Sequence, residues 1–180
     1  MPPTTRAGTS TQWPGHRYSN DLTVQVEGVT YRGTKDEAAL DNAAFYAWEQ
    51  PVYCVADGVV YAAEDKYSDH LPWMKNPPPD IIFVVLQHGG DRFSGYFHLR
   101  QGSLPVIGGA KLAAGDAVSA GDVLGKVGDS GGSSEPHLHF GMSQIDATGR
   151  AHLLPVRIEG LTTEDGKAVD VVPGSGMYAS

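Results

Sequence analysis

Cysteine is all but missing from this chain. Cys54 is the only one in 180 residues, so an intrachain disulfide is excluded. It lies in the apolar run Val52-Tyr53-Cys54-Val55-Ala56, where a buried structural thiol is expected rather than a nucleophile. Basic residues are scarce too: 13 Lys and Arg against 21 Asp and Glu leave a net charge of -8. That balance argues against a nucleic acid or an anionic membrane as partner, because both are held by clustered cations that release counterions. No apolar run reaches the roughly 18 residues of a membrane-spanning helix, so no span is expected. Met1-Pro2-Pro3-Thr4-Thr5-Arg6-Ala7 lacks the apolar core of a signal peptide. A trimmed export signal, another export route and a protein that stays inside all remain open on that point. A His-Glu-x-x-His helix is missing, which excludes a standard zincin, and no solenoid-type repeat is visible.

What is present is glycine, proline and short valine-rich segments. With 23 Gly, 12 Pro and 41% hydrophobic residues, the composition favours many short strands between turns, in one well-buried domain. Residues 1–15, rich in Pro, Thr, Ser and Gly, are expected to be a flexible lead-in. Leu22, Val24 and Val26 alternate with polar neighbours at the period of a half-buried strand. Thr34 followed by Glu37 is a capping-box pattern, and the alanine-rich text after it predicts one short helix over 35–47. Strands are expected at Val52 to Val55, Val59 to Ala63, Ile81 to Leu86, Ser94 to Leu99, His137 to Met142 and Leu153 to Glu159, with Val169 to Val172 closing a terminal hairpin. Asp69 to Pro79, with Trp73 and three consecutive prolines, reads as an irregular loop fit to wall a groove.

Chemistry concentrates in Glu135-Pro136-His137-Leu138-His139-Phe140-Gly141. In an extended strand, side chains two apart share a face, so His137 and His139 aim two imidazoles at one point. Alone, a His-x-His pair is more often structural. A catalytic zinc takes three protein ligands and leaves a position for water, and His16, Asp21 and His139 are a set able to supply them. His98, in Gly95-Tyr96-Phe97-His98-Leu99, and His137 then stand beside the metal, able to accept a proton or to support an oxyanion. His88 is expected to bond within the Gly89-Gly90 turn. His70 and His152 read as surface residues, and Asp36, Glu37, Asp41 and Glu49 as a solvated face.

Four segments carry a family resemblance: His16 to Asp21, Pro51 to Val60, Tyr96-Phe97-His98-Leu99, and Gly115 through Gly141 with its terminal Pro-His-Leu-His-Phe. In these the chain resembles the lysostaphin-type, or LytM-like, zinc metallopeptidases, which cut peptide cross-links in bacterial peptidoglycan. The resemblance implies an all-β fold of antiparallel sheets bearing a groove, the duplicated hybrid motif of that family. It implies a Zn2+ ion held by His16, Asp21 and His139, with His98 and His137 assisting hydrolysis by a zinc-bound water. It further implies a peptidoglycan peptide as substrate, an extracytoplasmic location and a monomer. The expected peptidase domain is 16–160, with an insertion at 22–50 and a hairpin and tail at 161–180. The family commonly places three residues between the first His and the Asp; here Arg17-Tyr18-Ser19-Asn20 makes four.

Two other functions compete. A LytM-like scaffold that binds or activates other cell-wall enzymes would use the fold without the chemistry. A lipoyl- or biotinyl-carrier barrel is suggested by Gly115 to Leu124, but the turn Asp129-Ser130-Gly131-Gly132 lacks the lysine that carriers modify, and the likeness is one of turn architecture.

Overall fold

The computed structural model describes residues 4–9, 18–156, 158–162 and 168–171. The strands in chain order are β1 (Thr4–Thr9), β2 (Asn20–Gln25), β3 (Pro51–Tyr53), β4 (Gly58–Glu64), β5 (Phe83–Gln87), β6 (Arg92–Phe97), β7 (Val106–Ile107), β8 (Ala110–Lys111), β9 (Ala117–Val118), β10 (Val123–Lys126), β11 (Leu138–Ile145), β12 (Ala151–Leu154), β13 (Ile158–Thr162) and β14 (Ala168–Val171). All the strand pairings between them are antiparallel. The main sheet runs β1-β2-β11-β6-β5-β4-β9, with β12 added to β11. Short two-stranded sheets pair β10 with β3, β7 with β8 and β13 with β14. The all-β expectation holds. Within the expected lead-in, Thr4–Thr9 runs as β1 against β2.

Strand alternation divides the main sheet into two chemically distinct faces. Val60 opposes Leu86, Val84 opposes Tyr96, and Tyr96 opposes Phe140. These side chains are buried and form the core with Leu99, Leu104, Leu112 and Leu124. The other parity, Phe83, Gly95, Phe97, His139, Gly141 and Asp21, faces away from that core. A one-residue slip would carry the histidine into the core, so burial of Tyr96 and Phe140 fixes the site's register. Cys54 is buried as expected; burial pushes its thiol up, and it donates to the Ala56 carbonyl at 2.9 Å.

Two Gly-Asp turns pin the small sheet to the large one. Asp116 accepts from the Ala113 amide and Asp122 from the Ser119 amide, both at 2.8 Å. The backbone carbonyls of Asp116 and Asp122 then accept from Val60 and Cys54. This is the carrier-like text at Gly115 to Leu124, used as structural punctuation.

The helix expected over 35–47 is a correction. Only Lys35–Ala38 is α-helical, as α1, followed by a 3-10 turn at Asn42–Ala44. The capping box forms as expected: Thr34 Oγ1 accepts from the Glu37 amide, and the Thr34 amide donates to Glu37 Oε2 at 2.8 Å. Asp41 then ends the run, because its side chain caps the Ala43 amide at 2.8 Å and offers the backbone an alternative to helix. Leu40 stays exposed, so a longer helix would gain no apolar burial from it. The insertion instead docks through aromatics. Tyr31, Phe45 and Trp73 form a mutual cluster with centroids 5.4 to 5.8 Å apart, and Lys35 Nζ lies 5.2 Å over Trp73.

Candidate metal centre and its histidines

Sheet register builds the centre of the site. Asp21 on β2 and His139 on β11 are direct cross-strand partners, and His139 is flanked on its other side by Phe97 of β6. Opposed residues in an antiparallel pair present side chains to one face a few ångströms apart. Accordingly, His139 Nδ1 lies 2.7 Å from Asp21 Oδ1. His137, just before β11, brings Nε2 to 3.6 Å from the same oxygen. Ligand-capable atoms of Asp21, His137 and His139 all lie within 4.8 Å of one another, a spacing that suits one metal ion. Burial works to raise the Asp21 carboxyl, but the His139 hydrogen bond and the charges of the neighbouring imidazoles outweigh it and hold the group below its ordinary value.

His98 reaches this group by breaking the strand. It follows Phe97, the last residue of β6, and takes φ 61°. In a continuing strand, residues 97 and 98 would point to opposite faces. The left-handed turn instead places the His98 ring 4.7 Å from that of His137 and 5.9 Å from that of His139. Non-glycine residues avoid this region at a cost of about 1–3 kcal/mol, and such strain clusters where function over-determines the backbone.

Backbone carbonyls set the tautomers of both histidines that flank the Asp21–His139 pair. His98 Nδ1 is 2.6 Å from the Ser130 carbonyl oxygen, and His137 Nδ1 is 2.7 Å from that of Glu135. A carbonyl can only accept, so each Nδ1 carries the proton and each neutral ring keeps its lone pair on Nε2. His98 is buried, and burial, with the nearby imidazole of His137, lowers its pKa to about 3. It therefore stands as a neutral base throughout the physiological range.

Glycines give the segments around the site their close approaches. A Cβ on Gly95 would stand 2.4 Å from the Phe97 ring, and one on Gly131, at φ +74°, would meet Ile81 Cβ at 2.7 Å. Alongside, the Trp73 amide donates to the Ser134 carbonyl at 2.6 Å, joining the expected wall loop to the segment that leads into His137.

Of the residues singled out from sequence, the structure gathers Asp21, His98, His137 and His139; His16 lies outside the described residues. His70 is a correction: it is buried, with Nε2 2.8 Å from the Gly131 carbonyl oxygen. That partner lies 61 residues away, which no local pattern reveals. His88 is also corrected, since it bonds the Asp57 carbonyl and Ser94 Oγ rather than its own turn. His152 is exposed and paired with Asp146 at 2.6 Å. Glu49 is tied to Arg100 at 3.1 Å and to Lys126 at 3.5 Å.

Residues 39–152 match the family model described as Peptidase family M23, and the chain belongs to that family. The lysostaphin-type resemblance is thereby borne out at the level of the family. The chain is similar to several solved structures. A mutant catalytic domain of the prophage-encoded M23 protein EnpA from Enterococcus faecalis is 14% identical, with 84% of this chain and 88% of that chain covered and a TM-score of 0.48. The catalytic domain of the antimicrobial peptidase lysostaphin from Staphylococcus simulans is 19% identical, with 82% and 87% covered and a TM-score of 0.45. A putative glycyl-glycine endopeptidase lytM from Ruminococcus gnavus is 20% identical, with 83% of this chain and 50% of that chain covered and a TM-score of 0.49. No curated protein matches the chain.

Proposed function

We propose that this chain is a zinc-dependent endopeptidase that hydrolyses peptide cross-links of bacterial peptidoglycan outside the cytoplasm. The observation that carries the reading is the convergence of Asp21 Oδ1 and His139 Nδ1 at 2.7 Å, with His137 Nε2 at 3.6 Å, on one sheet face. A carboxylate and imidazole nitrogens at this spacing fit a zinc ion. Asp21 and His139 would hold it, with His16 as third protein ligand. When bound, zinc supplies Lewis acidity towards a peptide carbonyl and lowers the pKa of water towards about 7.

The chain's own residues do the rest. The Nδ1 protons of His137 and His98 are locked to carbonyls, which leaves Nε2 of each neutral ring unprotonated, with the ring centres 4.7 Å apart. One such base can take a proton from attacking water, and the imidazolium so formed can donate to the developing oxyanion. Phe97, packed over Gly95 and against Phe83 and His139, lies beside these groups on the same sheet face.

Digestion of defined muropeptides, with the new termini identified by mass spectrometry, tests the reading. Release of new amino termini that depends on zinc is expected. A protein that takes up no zinc and cleaves no cross-link would instead be the scaffold, the alternative that uses the fold alone.

A further inference from the structure

A second polar cluster lies behind the site. Asp129 is fully buried, its carboxyl beside the Ser133 hydroxyl and the His70 ring. His70 Nδ1 stands 3.5 Å from Asp129 Oδ2. The His70 ring is itself buried between two carbonyls: Nδ1 is 2.9 Å from Leu71 O, and Nε2 is 2.8 Å from Gly131 O. One N–H of the ring serves one of these carbonyls, and the Asp129 carboxyl stands beside the ring. Burial pushes the Asp129 carboxyl up, while the Ser133 hydroxyl first, then His70 and His137, pull it back.

This pair sits in a brace between two loops. Asp69 Oδ1 accepts from the Asp129 amide at 2.7 Å, and the His70 amide donates to the Asp129 carbonyl at 3.3 Å. Asn42, from the insertion, donates to the His70 carbonyl at 2.6 Å. The carbonyl next to the one His70 grips is that of Ser130, which holds His98 Nδ1, and Ser130 Oγ is itself fixed between the Ile82 amide and the Leu99 carbonyl.

We propose that His70, paired with Asp129, is a positioning residue for the reaction: by gripping the Gly131 carbonyl it aims the Ser130 carbonyl at His98 and fixes the tautomer with a free Nε2. This inference rests on the catalytic role given to His98 above. Through Asn42 it also couples the insertion to the reacting groups.

The test uses the zinc-loaded chain and a soluble muropeptide that it cuts. His70→Leu, similar in volume but without donors, and Asp129→Asn, which keeps shape, should each lower kcat about 10- to 100-fold, as loss of an outer orienting partner does. KM and zinc content should change little. Nitrogen-15 imidazole spectra should show the His98 Nδ1–H of the parent weakened or shifted to Nε2. In the double variant, His70→Leu should add no further loss to His98→Ala, because one acts through the other. Undiminished kcat, an unchanged His98 spectrum in folded variants, or losses that multiply in the double variant would each overturn the proposal. Full activity in His98→Ala overturns the catalytic role as well; an inactive His98→Ala with multiplying losses sinks only the positioning role. If His70→Leu unfolds, Asp129→Asn is read by the same three criteria.

Discussion

Replacing His98 by alanine and by glycine separates the strain at this residue from its chemistry. Both substitutions remove the bond to Ser130 and the same imidazole contacts, so those losses cancel in the comparison. What differs is the Cβ, held at φ 61°. In the left-handed region a Cβ costs about 1–2 kcal/mol, whereas glycine adopts it freely and loses only about 0.5–1 kcal/mol relative to alanine through its more flexible unfolded state. The glycine variant is therefore expected to be the more stable by up to about 1.5 kcal/mol, or about 3–6 °C in Tm for a chain this long. His152, on the exposed strand β12 and without a positive φ, provides the control, where alanine should win by about 0.5–1 kcal/mol. Thermal unfolding followed by circular dichroism, with chelator present so that metal retention does not intervene, reads both pairs. Both His98 variants should also lose about 100- to 1000-fold in turnover, the usual consequence of removing a group that stabilises the transition-state charge. If His98→Ala is more stable than His98→Gly by the same about 0.5–1 kcal/mol as at His152, the claim of a strained backbone at His98 is refuted. If either variant cleaves like the parent, His98 has no catalytic role.

Asp21→Ala or His139→Ala should abolish stoichiometric zinc binding in metal analysis, while His137→Ala should keep the metal and lose turnover; retention of one tightly held zinc by both ligand variants would overturn the assignment. Gly131→Ala forces a Cβ at φ +74° against Ile81 and should cost about 2–5 kcal/mol by summing left-handed strain and overpacking, a result that urea titration would contradict by showing an unchanged midpoint. The pKa of His98 is lowered in the folded state to about 3 from an ordinary value of 6.5. The unfolded chain thus binds a proton that the folded one refuses, so stability should fall as pH drops from about 6.5 towards 3, and a nearby cation would push the same way. Subtracting the profile of His98→Ala isolates this contribution; parallel profiles over that window would refute it. Thr34→Ala removes the capping box and should cost about 1 kcal/mol, detectable as a lower Tm with turnover unchanged.

The sheet, and with it the shared face of His137 and His139, was legible from local patterns, whereas Asp21 and His98 came from the family resemblance, His98 reaching the group only through its left-handed backbone. Period-two alternation places Tyr96 and Phe140 in the core, and the same arithmetic puts His137 and His139 on the opposite face. The insertion was harder. Its alanine-rich text reads as helix by propensity, but Asp41 supplies a competing cap and Phe45 packs against Tyr31 and Trp73, a tertiary cluster that spacing along the chain does not announce. His70 was misread for the same reason. An isolated histidine in a proline-bounded loop has no sequence signal of burial, because the carbonyl and carboxylate that hold it belong to Asp129 and Gly131 on another loop.

The proposed division of labour between the two histidines of His137-Leu138-His139 rests on what each Nδ1 meets. Both belong to the same short segment, and period two alone makes them equivalent. The difference comes from their neighbours. His139 lies inside the sheet opposite Asp21, so its Nδ1 turns to a carboxylate oxygen and the two form a pair of donor atoms ready for a cation. His137 lies just outside the strand, where the chain after Pro136 folds the Glu135 carbonyl back onto its Nδ1 and Ser133 Oγ approaches to 3.3 Å. Its Nδ1 is thereby occupied, and its Nε2, 3.6 Å from Asp21, points to the same centre at greater distance. A ring whose proton is fixed by backbone is suited to exchanging protons through its other nitrogen, and a ring already facing a carboxylate is suited to sharing a metal with it. Moving the strand's start by one residue would erase that distinction, so under this proposal the proline and the turn before β11 matter as much as the histidines do.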